Sequence, residues 1–216
     1  MKNVDLSELL IKRHGKICTS SDLQELFGNG YLSQISRMTN SGWIVPLGLF
    51  RGMYYVLDPV EREKNSFGMD GFQILIIALN RALGREWYFG RMTALHLLGI
   101  VHQPVSVSYI MNRKYRKSVS AKVLGEVVFS KTSLLITASC GIENREYRGV
   151  SYSISNPERT MIDYIGSYLQ GHTTRDEIVS ISSLLSADKN EMRVILSRCN
   201  RKVLAERVES VVESIL

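Results

Sequence analysis

Hydrophobic positions in the first 56 residues change period partway along. Leu6, Leu9 and Leu10 recur at helical spacing between Asp5 and His14, and Gly15 follows as a stop, so the spacing predicts a helix there. SSDLQELF, residues 20–27, predicts a second helix: Thr19 caps it, Asp22 three residues on is a capping-box partner, and GNG ends it. YLSQISRMTNS, residues 31–41, predicts a third, closed by Gly42. The pattern then gives way to short β-branched and aromatic runs, WIVPL and MYYVL, separated by GLFRG, which predicts an antiparallel hairpin with Arg51 at its tip. Residues 16–18 form a short extended segment suited to pair with that hairpin. Two short helices joined by a tight Gly-bearing turn and followed by a hairpin predict a winged helix-turn-helix over residues 1–60.

The polar run DPVEREKNSFGMDG, residues 58–71, predicts the domain boundary, with 61–71 as linker. Beyond it, FQILIIALNRALG is apolar on too many sides to be exposed and predicts the central helix of a second domain, 72–216. A helix is expected at 91–98. Strands are expected at 105–112, 122–129 and 147–155, with a further candidate at 133–138. Asn156 caps the helix that begins at Pro157, where the missing N–H costs nothing, and Met161, Ile162, Ile165 and Leu169 form its buried stripe. Thr174 caps RDEIVSISSLL, Asp188 starts a helix to about Cys199, and RKVLAERVESVVESIL closes the chain. The fold class is therefore α+β: an N-terminal winged helix-turn-helix, then an α+β domain with a small sheet flanked by helices.

Composition adds limits. The 216 residues are 44% hydrophobic and 22% charged, as in a folded soluble protein. No apolar run reaches the roughly 18 residues of a membrane helix, and the amphipathic N-terminus does not read as a signal peptide, so a cytoplasmic protein is expected. Cys18, Cys140 and Cys199 are odd in number and lack metal-ligand spacing, which predicts buried free thiols. The net charge of +6 allows a polyanionic partner. Residues 1–64 hold 8 basic and 7 acidic side chains, whereas residues 65–216 hold 19 and 14, so most of the surplus lies beyond the hairpin.

On the third helix, Leu32, Ile35, Ser36 and Thr39 fall to one side at 100° per residue, and Ser33, Gln34, Arg37, Asn40 and Ser41 fall to the other. Such a face is either solvated or reads DNA: Arg suits guanine bidentately, while Gln and Asn suit adenine. The adjacent hairpin favours DNA. Ser33, Gln34, Arg37 and Asn40 are thus the expected base readers, with Lys16, Thr19, Ser20 and Arg51 on phosphates. A second basic patch, Arg113, Lys114, Arg116 and Lys117 around Tyr115, reads either as a solvated loop or as a clamp for a nucleic-acid backbone or an acidic protein. Arg193, Arg198, Arg201 and Lys202 read as a solvated helix face.

WYFGRMTALHLLGI at 87–100 and NPERTMIDYI at 156–165, in this order behind an N-terminal winged helix and around a β-rich stretch, resemble the AbiEi-type proteins. These are transcriptional regulators and antitoxins of abortive-infection (type IV toxin-antitoxin) systems. The resemblance covers nearly the whole chain. It implies a DNA-binding domain that represses its own operon, a C-terminal domain that counters a nucleotidyltransferase-like toxin, and no catalytic residues. Arg159 and Asp163, four apart within PERTMID, are expected to form a structural ion pair.

The alternatives to a DNA-binding regulator are a protein-interaction antitoxin module with a secondary DNA-binding role and a nucleic-acid-processing enzyme using the basic loop, but enzyme signatures are missing from the sequence. It contains no GxGxxG, no phosphate-loop GKS or GKT, no HExxH, no ExK and no GxSxG, so neither a cofactor nor a metal is expected. His96 stands alone on a Leu-rich helix and is expected to be a hydrogen-bonded core residue. Two-fold DNA sites usually require dimers, and Val203, Val208, Val211, Val212, Ile215 and Leu216 on the last helix are the expected interface.

Overall fold

The computed structural model describes residues 3–103, 106–131, 140–199 and 201–215. The fold is α+β. The chain divides into two units, Met1–Ala82 with Val119–Gly125, and Leu83–Ser118 with Glu126–Leu216.

The first unit begins with α1 (Asn3–His14), β1 (Ile17–Thr19), α2 (Ser20–Phe27), a 3-10 turn (Gly28–Gly30) and α3 (Tyr31–Asn40). The β2 (Ile44–Pro46) and β3 (Met53–Val56) hairpin follows, then α4 (Pro59–Lys64) and α5 (Gly71–Leu83). Thr19 accepts from the Asp22 N–H while the Asp22 carboxylate accepts from the Thr19 N–H, so the capping box fixes where α2 starts. The strands form an antiparallel sheet in the order β1-β3-β2, with Tyr55 opposite both Ile17 and Val45. Leu6, Leu10, Cys18, Leu23, Met38, Trp43, Ile44 and Val56 make the core beneath the three helices. Burial pushes the Cys18 thiol up to about 12, assisted by nearby Asp22, which leaves it an inert core group. Gly52 is demanded by its surroundings, because its φ is +73° and an added Cβ would lie 2.5 Å from the Ser20 hydroxyl.

The stretch expected to be a linker is structured. Asp58 and Glu61 form a second capping box around α4. Glu61, only 6% exposed, also accepts from the Tyr55 hydroxyl at 2.8 Å, the Gly68 N–H at 2.6 Å and Lys16 Nζ at 2.5 Å. A charge-rich sequence reads as linker when its partners lie elsewhere in the chain. α5, expected in the second domain, groups with the first unit, where Arg81 Nη1 donates to Asp22 Oδ2 at 2.6 Å and Nη2 donates to the His14 carbonyl.

The second unit contains β4 (Trp87–Phe89), α6 (Arg91–Leu97), β5 (Val107–Asn112) and all but the first residue of β7 (Gly125–Lys131), while β6 (Lys117–Ala121) divides after Ser118, its last three residues belonging to the first unit. β8 (Ile142–Tyr147), β9 (Val150–Ser155), α7 (Pro157–Tyr168), α8 (Arg175–Leu185), α9 (Lys189–Ser197) and α10 (Lys202–Ile215) complete it. The sheet order is β6-β7-β5-β4-β9-β8, mixed in direction: β5 runs parallel to β7 and antiparallel to β4, and β4 runs parallel to β9. The three-residue β4 escapes a periodicity reading because all of its side chains are buried. The single strand expected at 147–155 is instead the turn and second arm of a hairpin. Arg148 and Gly149, at φ +48° and +78°, supply the left-handed pair that a two-residue turn requires. The strand candidate at 133–138 lies outside the described residues.

α7 is the hub of this unit. Every residue from Arg159 to Gly166 is buried, and its apolar members pack with α8, α9 and α10 into one cluster. Asn156 caps it from the Arg159 N–H, and Thr174 and Asp188 cap α8 and α9 as expected. The α10 residues expected at a dimer seam are used here: Val208 and Val212 are fully buried, and Val211 and Ile215 pack against the same cluster. Val203 alone of the described group is strongly exposed, at 72%. Among the described residues no helix is long and apolar enough to cross a membrane.

Candidate nucleic-acid interface

α3 is oriented by Met38, its one fully buried side chain. That phase turns Leu32, Ser33, Ser36, Arg37 and Asn40 outward and leaves Tyr31, Gln34, Ile35 and Thr39 partly covered. Arg37 and Asn40 stand on the exposed face, as expected. Ser33 is exposed too, its hydroxyl donating to the Gly30 carbonyl at 2.8 Å while keeping acceptor capacity outward. Two assignments change. Gln34 lies at the flank with its amide oxygen buried, and Ser36, expected inward, takes the outer position beside Leu32, which is 65% exposed. The phase differs because the core is filled by Met38 rather than by Leu32 and Thr39.

The expected phosphate contacts also divide. Arg51 is exposed in the turn between β2 and β3. Lys16 is committed to an ion pair with Asp58 at 2.6 Å and Glu61 at 2.5 Å, so it anchors α4 instead of facing an external anion. The Thr19 hydroxyl is taken by the cap of α2. Ser20 uses its N–H to hold the hairpin, donating to the Gly52 carbonyl at 2.7 Å. Of the three, Ser20 holds the hairpin carrying Arg51, and Lys16 and Thr19 fix α4 and α2 beside it. The rim is stiffened by Arg62, which stacks over Trp43 at 4.6 Å and donates to the Ser41 carbonyl at the end of α3. Sequence pattern could not find that contact, since the partners lie about twenty residues apart and α4 reads as linker.

In the second unit the Arg159–Asp163 pair forms at 3.2 Å, nearly devoid of exposure, within a larger network. Tyr88 donates to Asp163 Oδ2 at 2.8 Å and accepts from Arg159 Nη2 at 2.8 Å, while Nη1 donates to the Cys140 carbonyl at 3.1 Å. Burial raises the Asp163 pKa despite Arg159. Burial works against the charge on Arg159, but Tyr88 and Asp163 outweigh it and hold the guanidinium protonated. The basic patch splits: Arg113 and Lys114 are exposed on the turn, whereas Arg116 donates to Gln170 Oε1 at 3.2 Å and His172 Nε2 at 2.6 Å. Lys117 opens β6 over the rings of Tyr115 and Phe129. His96, expected in the core, is exposed, with Nδ1 3.1 Å from the Val101 carbonyl. The three cysteines are free and buried, as expected. Among the described residues no group of three or more His, Cys, Asp or Glu is placed to hold a metal ion.

No family model matches the chain. No curated protein matches it either. Among solved structures, its fold is similar to the crystal structure of RV2827C protein from Mycobacterium tuberculosis, with a TM-score of 0.55 at 15% identity over 97% of this chain and 75% of that one.

Proposed function

We propose that this chain is a sequence-specific DNA-binding transcriptional regulator of the cytoplasm. The observation that carries the reading is the outward polar face of α3, with Arg37 and Asn40 beside a hairpin that holds Arg51 at its exposed turn. A helix of ten residues fits the major groove, and Arg and Asn there match guanine and adenine edges. Arg51 meets a backbone phosphate, and Ser33 and Ser36 supply further hydrogen bonds. The resemblance in the Trp87–Ile100 and Asn156–Ile165 segments extends the proposal to an AbiEi-like antitoxin: a repressor of its own operon, dimeric on DNA, that counters a nucleotidyltransferase-like toxin. No enzymatic step is assigned to it.

The test is selection of duplexes from a randomised pool by the full chain, followed by affinity measurements on the enriched and a shuffled sequence at physiological salt. The reading expects one enriched motif, bound on the order of a thousandfold more tightly than the shuffled duplex. A flat pool with equal affinities would sink it. For the antitoxin part, co-expression with a nucleotidyltransferase encoded by the adjacent gene should relieve growth arrest. Unrelieved arrest would reject that extension while leaving DNA binding standing.

A further inference from the structure

The second unit contains a cleft of about 310 Å³ that the proposed DNA-reading face does not use. Four cations line it: Arg91 at the start of α6, Arg116 and Lys117 at the entry to β6, and Lys131 at the end of β7. Among the described residues Asp163 is the only carboxylate in the lining, and both of its oxygens are already engaged, Oδ1 by Arg159 at 3.2 Å and Oδ2 by Tyr88 at 2.8 Å. Gathering four like charges around one cleft creates a local positive potential that attracts a counter-anion.

The two guanidinium groups are held by neutral hydrogen-bond partners. Arg91 donates to the hydroxyls of Ser167 and Thr173 and lies 5.5 Å from the rings of both Tyr109 and Tyr164. Arg116 is fixed by Gln170 and His172, whose Nε2 must accept because a guanidinium only donates. Their orientation is thus set while their charge stays available. Arg91 also adopts a φ of +53°, a strained backbone for a long side chain of the kind that persists where surrounding contacts impose it. A Cβ added at Gly90 before it would lie 2.5 Å from Met111 Cγ, so a side chain there would displace Met111, which lines the same cleft.

We propose that this cleft binds a compact phosphoryl anion, the di- or triphosphate group of a nucleotide. Forked guanidinium donors match phosphoryl oxygens, and linked phosphates bring several negative charges into a space this small. An acidic peptide carries one charge per side chain at strand or helix spacing and fits the charge density less well. The assignment does not depend on the DNA-binding reading.

Isothermal titration calorimetry of the full chain with inorganic tripolyphosphate, ATP and AMP, at about 150 mM salt, tests it. Saturable single-site binding is expected, with tripolyphosphate and ATP about tenfold or more tighter than AMP. The R116A and K131A variants, altered at exposed positions, should each weaken ATP binding by about tenfold with an unchanged melting temperature. K202A, which removes an exposed cation outside the cleft, should not. Absence of saturable binding up to about 1 mM ligand, or equal weakening by K202A, would overturn the proposal. Tighter binding of an unphosphorylated single-stranded oligonucleotide through the same residues would also overturn it, assigning the cleft to a nucleic-acid backbone.

Discussion

Glu61 in the first unit and Asp163 in the second are both buried carboxylates answered by a cation, a tyrosine hydroxyl and neighbouring polar groups, yet their environments act in opposite directions. Glu61 receives Lys16, Tyr55 and the N–H groups of Asp58 and Gly68, and these contacts outweigh its burial, so its pKa falls. Among the described residues Asp163 has only Arg159 and Tyr88 as hydrogen-bond partners, and burial wins, so its pKa rises. The difference teaches that a pair's presence does not fix its effect: the number of donors relative to the depth of burial does. It also separates roles. In the first unit, paired charges anchor α4 and the hairpin while the outer face of α3 leaves Ser33, Ser36, Arg37 and Asn40 exposed beside Leu32. In the second, the network roots α7 beneath a cationic cleft.

The largest expected effect breaks the deeper network. Arg159→Ala leaves Asp163 buried without its cation and should cost about 3–5 kcal/mol in chemical denaturation, whereas the double change Arg159→Met with Asp163→Leu should cost far less. Equal losses for the two would mean that the site is held by packing rather than by charge. Next, Arg37→Ala should weaken binding to the selected duplex by about 1–3 kcal/mol and leave folding stability within about 0.5 kcal/mol. Lys16→Ala should behave the other way: a stability loss of about 1–2 kcal/mol, since Glu61 keeps its other donors, and any loss of DNA affinity shared by all sequences.

The smallest effect concerns acid. Asp22, Asp58 and Glu61 are held below their ordinary values, Asp22 and Glu61 against the opposing pull of burial, and Asp58 chiefly by the Lys16 hydrogen bond. The folded first unit therefore binds fewer protons than its unfolded chain, and this stabilisation is lost as pH falls below about 4.5. Asp163 contributes with the opposite sign, its share being present at low pH and lost as pH rises from about 4 through its elevated value. The chain has two tryptophans, Trp43 in the first unit and Trp87 in the second, so single-tryptophan variants report each separately. During acidification the Trp43 signal should change at higher pH than the Trp87 signal; the reverse order would contradict the comparison.

Much of this was legible in the sequence where chemistry is local. The caps at Thr19, Asn156, Thr174 and Asp188 were readable because donor and acceptor lie two or three residues apart, and Arg159 with Asp163 because they are one helical turn apart. Tyr88, 71 residues from Arg159, was not. Lys16 looked available for phosphate because its partners are 42 and 45 residues away. The α3 face was displaced in phase because Leu32 and Thr39 competed with Met38 for the core, and periodicity alone does not rank them. The cleft was only half visible as the run at 113–117. Arg91 and Lys131 join Arg116 and Lys117 because the sheet order sets β5 between β7 and β4, a non-local fact.

The central claim is that the outer face of α3 reads sequence while the hairpin holds the backbone. Fluorescence anisotropy of the wild type, Arg37→Ala and Arg51→Ala on the selected and the shuffled duplex tests it most directly. Arg37→Ala should lose affinity on the selected duplex and little on the shuffled one, and Arg51→Ala should lose similarly on both. Equal losses on both duplexes for Arg37→Ala, or none on either, would contradict the account.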